Sequence, residues 1–142
     1  MSSDSPAQGF RVVSHTADEI VEAWGPTREA CLEEAARGLL ATVVDVGTAG
    51  WSEHVEVPLS GTDEELLLDL LEELVFRLDT DGGVPVRIRA RRAHGGVVVD
   101  LWLTDRHHVR EIGAAPKGIA YSGLAFAEDA QGAWRCRVTV DV

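Results

Sequence analysis

The chain has little of what most quickly betrays a function. It holds two cysteines in 142 residues, Cys31 and Cys136. They lack CxxC spacing and fall within a helix pattern and a strand pattern, so they are expected as reduced residues in or near the core. No apolar run approaches the roughly 20 residues of a membrane span. Residues 1–9 are polar and carry no apolar h-region, which leads us to expect a frayed terminus rather than a signal peptide. The absence of such signals points to a cytoplasmic address. Internal repeats, linkers and low-complexity blocks are missing too. Positive charge is scarce: 13 Lys and Arg against 24 Asp and Glu give a formal charge of −11. Such a surface repels phosphate backbones at long range. Direct, tight nucleic-acid binding is therefore disfavoured; basic protein partners and divalent cations suit the charge better.

What is present is a core. Hydrophobic residues make up 45 % of the chain, enough for one globular domain to form without staples. We expect a tail over residues 1–9 and a single domain over 10–142. Phe10 to Ser14 and Ile20 to Trp24 read as strands. Thr27 is a fair N-cap, with Glu29 in the first turn where the helix dipole favours an anion. From there Leu32, Ala35, Ala36, Leu39, Leu40 and Val43 recur at helical spacing. Arg28, Glu33, Glu34 and Arg37 take the opposite face, and the helix should end near Val44-Asp45. His54 to Leu59 alternates as a half-buried strand. Thr62 to Glu65 forms a capping box, and it opens a helix with a wide leucine face from Leu66 to Leu78.

The second half reads as strands and turns. Val84 to Arg92 sets Arg87, Arg89 and Arg91 on one face. That row could grip a phosphate or a carboxylate, but a solvated strand face is the plainer reading. Ala93 to Gly96 makes a hairpin turn, and Val97 to Thr104 returns with Trp102 as an expected anchor. Residues 105–116 form a polar loop, followed by a strand from Gly118 to Ala125 and a final strand from Trp134 to Val142. Asp79 to Gly83 faintly suggests a calcium loop, but the EF-hand's sixth and twelfth positions would be Val84 and Ala90, which rules it out. His107-His108 invites a zinc reading, yet no further soft ligand stands at a usual spacing.

Two stretches stand out. His15-Thr16-Ala17-Asp18 puts a histidine and a carboxylate in a tight connection between two strands, where function concentrates. The plain alternative is an aspartate bonded within its own turn. The other stretch is the ending. Cys136, Val138, Val140 and Val142 share one strand face, leaving Asp141 on the other beside the last residue. The two aspartates could meet across adjacent strands, and hard cations such as Ca²⁺, Mg²⁺ or Mn²⁺ favour such carboxylate and carbonyl oxygens.

These stretches resemble the archease family. The matching residues are His15-Thr16-Ala17-Asp18, Asp45 after the first helix, Leu67-Leu68-Asp69 in the second, Lys117-Gly118-Ile119-Ala120-Tyr121, and Val140-Asp141-Val142. The likeness runs in order through nearly the whole chain. It departs where the family commonly has threonine before the tyrosine and histidine after it, here Ala120 and Ser122. It also departs in the second helix, at Leu70 and Glu72, and at Glu19.

The resemblance implies an α+β fold: a single compact domain with a mixed or mostly antiparallel sheet and two amphipathic helices. It implies a non-catalytic cofactor of RtcB-type RNA ligases in tRNA splicing and RNA repair, one that promotes GTP-dependent guanylylation and multiple turnover of the ligase. RNA would be met only indirectly. By position, the resemblance implies that Asp18, Asp141 and a main-chain or terminal oxygen of Val142 bind a divalent cation, Ca²⁺ first with Mg²⁺ or Mn²⁺ as alternatives. His15, Asp45, Asp69 and Lys117 would be supporting or partner-facing. The competing readings are a metal-dependent phosphoester hydrolase with His15 as general base, and a metal-independent, chaperone-like interaction domain. The first lacks a second metal cluster, a nucleophile motif and a phosphate-cradling glycine loop.

Overall fold

The alternating apolar residues at the two ends of the chain join in one sheet. The computed structural model describes residues 7–14, 18–80 and 82–142. Strands β1 (Gly9–Ser14), β2 (Asp18–Gly25), β8 (Gly118–Glu128) and β9 (Trp134–Asp141) line up in the order β1-β2-β9-β8, each pair antiparallel. The middle of the chain forms a second antiparallel sheet from β4 (Glu53–Leu59), β5 (Val84–Ala93) and β6 (Gly96–Thr104), in the order β4-β6-β5. The fold is thus α+β, with two helices against mostly antiparallel sheets in one domain. The first six residues of the expected tail lie outside the described residues. Gln8 already bonds Glu34 Oε2 at 2.7 Å, and β1 begins at Gly9.

Helix α1 (Arg28–Ala41) starts where expected: the Thr27 side chain accepts from the Ala30 N–H at 3.0 Å. It packs on the inner face of β1, β2 and β9 while also touching β5 and helix α2 (Asp63–Asp79). Contact with β2 is close, since a Cβ at Gly38 would lie 2.6 Å from Val21 Cγ1. Only glycine lets this helix approach so nearly. Helix α2 opens on the capping box, with Thr62 and Glu65 exchanging hydrogen bonds at 2.8 and 3.2 Å. It buries Leu66, Leu67, Leu70, Leu71, Leu74 and Leu78. One core cluster draws on both helices and both sheets.

Several expectations need correction. Helix α1 ends at Ala41 rather than near Val44-Asp45. The Thr42 hydroxyl donates to the Leu39 carbonyl at 2.7 Å, which competes with continuation of the helix. Val44–Asp45 (β3) then pairs with Arg110–Glu111 (β7). The loop at 105–116 therefore contains a short ladder, preceded by a 3₁₀ turn at Arg106–His108. Trp102 sits half-buried on the outer face of the three-stranded sheet, between His54 and Arg87, rather than anchoring the core.

The charged face of α1 is not simply solvated. Glu34 is buried and accepts from Gln8 and Arg37. Glu33 accepts from the Ala90 N–H at 2.8 Å, and Arg37 donates to the Ile88 carbonyl at 3.2 Å. Both backbone groups belong to the free edge of β5, which these side chains seal.

Candidate functional site

Two strand ends bring together the first and last acidic side chains of the described residues. Asp18 opens β2, Asp141 closes β9, and the register sets them directly opposite each other. Directly opposed residues have Cβ atoms roughly 4.5–5.5 Å apart. Val138 and Val140 are fully buried on the inner face, so strand alternation turns Asp141 outward, with Arg137 and Thr139 on the same side. Asp18 is half-buried and Asp141 exposed. Among the described residues neither carboxylate has a hydrogen-bond or ion-pair partner. Like charges held opposite each other repel, so this arrangement favours a cation between them.

The end of β8 adjoins the pair. Gly118 is the second neighbour of Asp141, across β8. The Lys117 N–H donates to the Asp141 carbonyl at 2.7 Å, which anchors the strand end, and Lys117 itself is exposed. Val142 follows at once, half-buried. Beyond Ala120 the strand bulges. Ala120 faces Thr139 and Ala125 faces Arg137, so residues 121–124 oppose Val138 alone. Gly123 takes φ +79° there, and Tyr121 stands 70 % exposed.

The other predicted residues are dispersed. Asp45 accepts from Arg110 at 3.1 Å and from the Gly47 N–H at 3.0 Å, in the β3–β7 ladder. Asp69 is exposed on α2, beside a hollow lined by Val57, Leu59, Glu73 and Phe76. Among the described residues neither bonds Asp18 or Asp141. His15, with Thr16 and Ala17, lies outside the described residues. No group of three or more His, Cys, Asp or Glu able to hold a metal occurs among the described residues. The two opposed aspartates therefore supply only part of a coordination shell. Main-chain carbonyls would complete it, and such an all-oxygen set suits a hard divalent cation.

The histidine pair does not form a metal site. His107 Nδ1 lies 2.7 Å from Asp105, while His108 Nδ1 faces the Thr104 hydroxyl at 3.2 Å. The His107 backbone N–H and ring hold the Asp105 carboxyl below its usual range. The cysteines are free and buried. Contact with the Cys136 thiol, then burial, pushes the Cys31 thiol far up, leaving it protonated and unreactive.

One polar network escaped the sequence reading. On the outer face of β4-β6-β5, Asp100 is 6 % exposed and accepts from Arg91 at 2.9 Å, with His54 Nε2 at 3.0 Å. Arg91 also donates to Glu56 at 2.9 Å. Burial alone would raise the Asp100 pKa, but the hydrogen bonds from Arg91 and His54 outweigh it and lower the pKa. Arg87 stacks on Trp102 at 4.7 Å. The alternation of β6 gave the only hint: Asp100 lies between Val98 and Trp102 on the outer face.

Known proteins share this arrangement of elements. Residues 10–142 match the Archease protein family (MTH1598/TM1083). The chain is 38 % identical over 138 residues to the "Probable protein archease" of Mycobacterium tuberculosis, covering 96 % of this chain and 76 % of that protein. It is 30 % identical over 144 residues to the "Protein archease" of Aeropyrum pernix, covering 94 % and 97 %. The solution structure of Methanobacterium thermoautotrophicum protein 1598 superposes with a TM-score of 0.74 at 23 % identity, over 94 % of this chain and 99 % of that one. That likeness speaks for the fold. No helix of the described residues is long and apolar enough to cross a membrane. By sequence over nearly its full length, this chain belongs to the archease family.

Proposed function

We propose that the chain is a non-catalytic protein cofactor of an RtcB-type RNA ligase, and that its working end is the strand-end pair Asp18 and Asp141. The direct opposition of these two carboxylates, unpartnered among the described residues, carries the reading. A divalent cation, Ca²⁺ first with Mg²⁺ or Mn²⁺ as alternatives, is held by Asp18, Asp141 and the main-chain oxygen of Val142. When bound, it would neutralise the two carboxylates and relieve their mutual repulsion. The chain's own residues fix the geometry. Lys117 ties down the Asp141 backbone through its N–H, and the buried Val138 and Val140 keep β9 in register beside β2.

A net charge of −11 complements a basic, nucleotide-binding cleft on the partner and steers approach to it. The working end enters or abuts that cleft and promotes guanylylation of the ligase by GTP. Lys117 and the exposed Asp45 and Asp69 take supporting or partner-facing roles; His15, outside the described residues, is assigned the same role by the family resemblance alone. RNA is handled by the ligase.

The test is RNA ligation with the ligase held far below substrate, with GTP and Mn²⁺, with and without this protein. Activation raises product from about one equivalent per ligase to many, with the shortfall lying in ligase re-guanylylation. Unchanged turnover with a cognate ligase would remove the activator role from this chain.

A further inference from the structure

The outward face of β2 and β9 carries a cavity away from the carboxylate end. Arg11, Glu22, Trp24, Arg135 and Arg137 line a cavity of about 560 Å³, well within the ordinary range of small-ligand sites. It is built from adjacent cross-strand rows. Arg11, Glu22 and Arg137 are register partners in one row, and Trp24 and Arg135 in the next. Arg137 is four residues from Asp141, roughly 13 Å along the strand, so the cavity is separate from the carboxylate pair.

Its charge runs against the rest of the molecule. Glu22 takes Arg11, whose Nε donates at 2.7 Å, and also lies 3.6 Å from Arg137 Nε. One carboxylate thus serves two guanidiniums and leaves a surplus positive charge. Arg135 reaches Asp129 at 3.3 Å. The side chains of Arg11, Arg135 and Arg137 are 66 %, 65 % and 49 % exposed, so their remaining donors face solvent across the cavity. Guanidinium forks match phosphate oxygens in geometry as well as charge. Trp24 supplies an aromatic wall, held against the Gly9 backbone, where a Cβ would come within 3.0 Å of the indole. An aromatic wall beside phosphate-matching donors is the recognition chemistry of a nucleotide. A long strand is disfavoured because the −11 chain repels a polyanion. A single nucleotide brings few charges and fits the volume.

We propose that this cavity is a binding site for a phosphorylated mononucleoside, with Arg11 and Arg137 on the phosphate and Trp24 against the base. The site stands on its own geometry and does not depend on the ligase reading. Glu22 is the competing anion that a phosphate displaces.

Titration calorimetry on the full chain tests it, with adenosine and guanosine mono- and triphosphates, inorganic phosphate and a short single-stranded RNA as probes. We expect saturable binding of at least one mononucleotide, weakened on the order of tenfold in Arg137→Gln. Arg89→Gln makes the same charge change on the other sheet and should leave affinity unchanged. Glu22→Gln should tighten binding severalfold, an effect that a merely structural role for Glu22 does not produce. Near-UV circular dichroism confirms that each variant is folded. The proposal is overturned if no mononucleotide saturates, if Arg89→Gln weakens binding as much as Arg137→Gln, if inorganic phosphate binds as tightly as the nucleotides, or if only the RNA strand binds.

Discussion

Asp100 and the pair Asp18–Asp141 are aspartates on the outer faces of two antiparallel sheets, yet their surroundings are opposite. Asp100 is nearly buried and fully engaged, with Arg91 and His54 on its two oxygens and Glu56 sharing Arg91. Asp18 and Asp141 face each other without a hydrogen bond or ion pair among the described residues. A buried polar network with every member satisfied specifies structure. Two like charges set opposite one another oppose folding and persist only where something else gains from them. The comparison ties Asp100 to stability, and the contrast is what the proposed role of the pair rests on.

Alanine substitutions should separate the two most sharply. Asp141→Ala and Asp18→Ala should each lower ligase activation by an order of magnitude or more. In the absence of divalent cation their stability should stay within about 0.5 kcal/mol of the parent, or rise slightly as repulsion is relieved. Ligation turnover and chemical denaturation measure both. Equal loss of stability and activity would break the comparison.

Next in size is the effect of metal. Calcium at 100 times its dissociation constant should stabilise the parent chain by about 2.7 kcal/mol and leave the Asp141→Ala variant unmoved in a thermal melt. Asp100→Ala should do the reverse, costing about 2 kcal/mol because Arg91 and His54 lose a buried acceptor, while activation survives once the protein is folded.

The smallest effect is in pH. Since the folded-state pKa of Asp100 lies below its unfolded value, the unfolded chain takes up that proton first as pH falls. The stabilisation is complete above about pH 4 and is lost progressively below it. The stability gap between parent and Asp100→Asn should therefore be constant at neutral pH and close on the acid side. A gap that instead widened below pH 4 would contradict the assignment.

The two networks were not equally legible in the sequence. The opposition of Asp18 and Asp141 was legible because Asp18 stands where two strands connect and alternation in the last strand leaves Asp141 off its apolar face, so the two could meet across adjacent strands. Local signals also carried through: Thr27 and the Thr62–Glu65 box cap their helices as read. What stayed hidden depended on partners distant in the chain. Glu33 and Arg37 look like a solvated helix face until β5, more than fifty residues on, brings its free edge to them. The helical apolar period runs on to Val43, and only Arg110–Glu111 draws the next two residues, Val44 and Asp45, into a ladder. Arg91 has two acidic neighbours only because β4 and β5 flank β6. Periodicity reports which face is buried; it does not report which strand lies alongside.

The most direct test of the central claim is titration of the parent chain and an Asp18→Asn/Asp141→Asn double variant with Ca²⁺, followed by calorimetry. The account predicts one saturable site in the parent and none in the variant, with both proteins folded. Absence of binding by the parent, or equal binding by the variant, would contradict it.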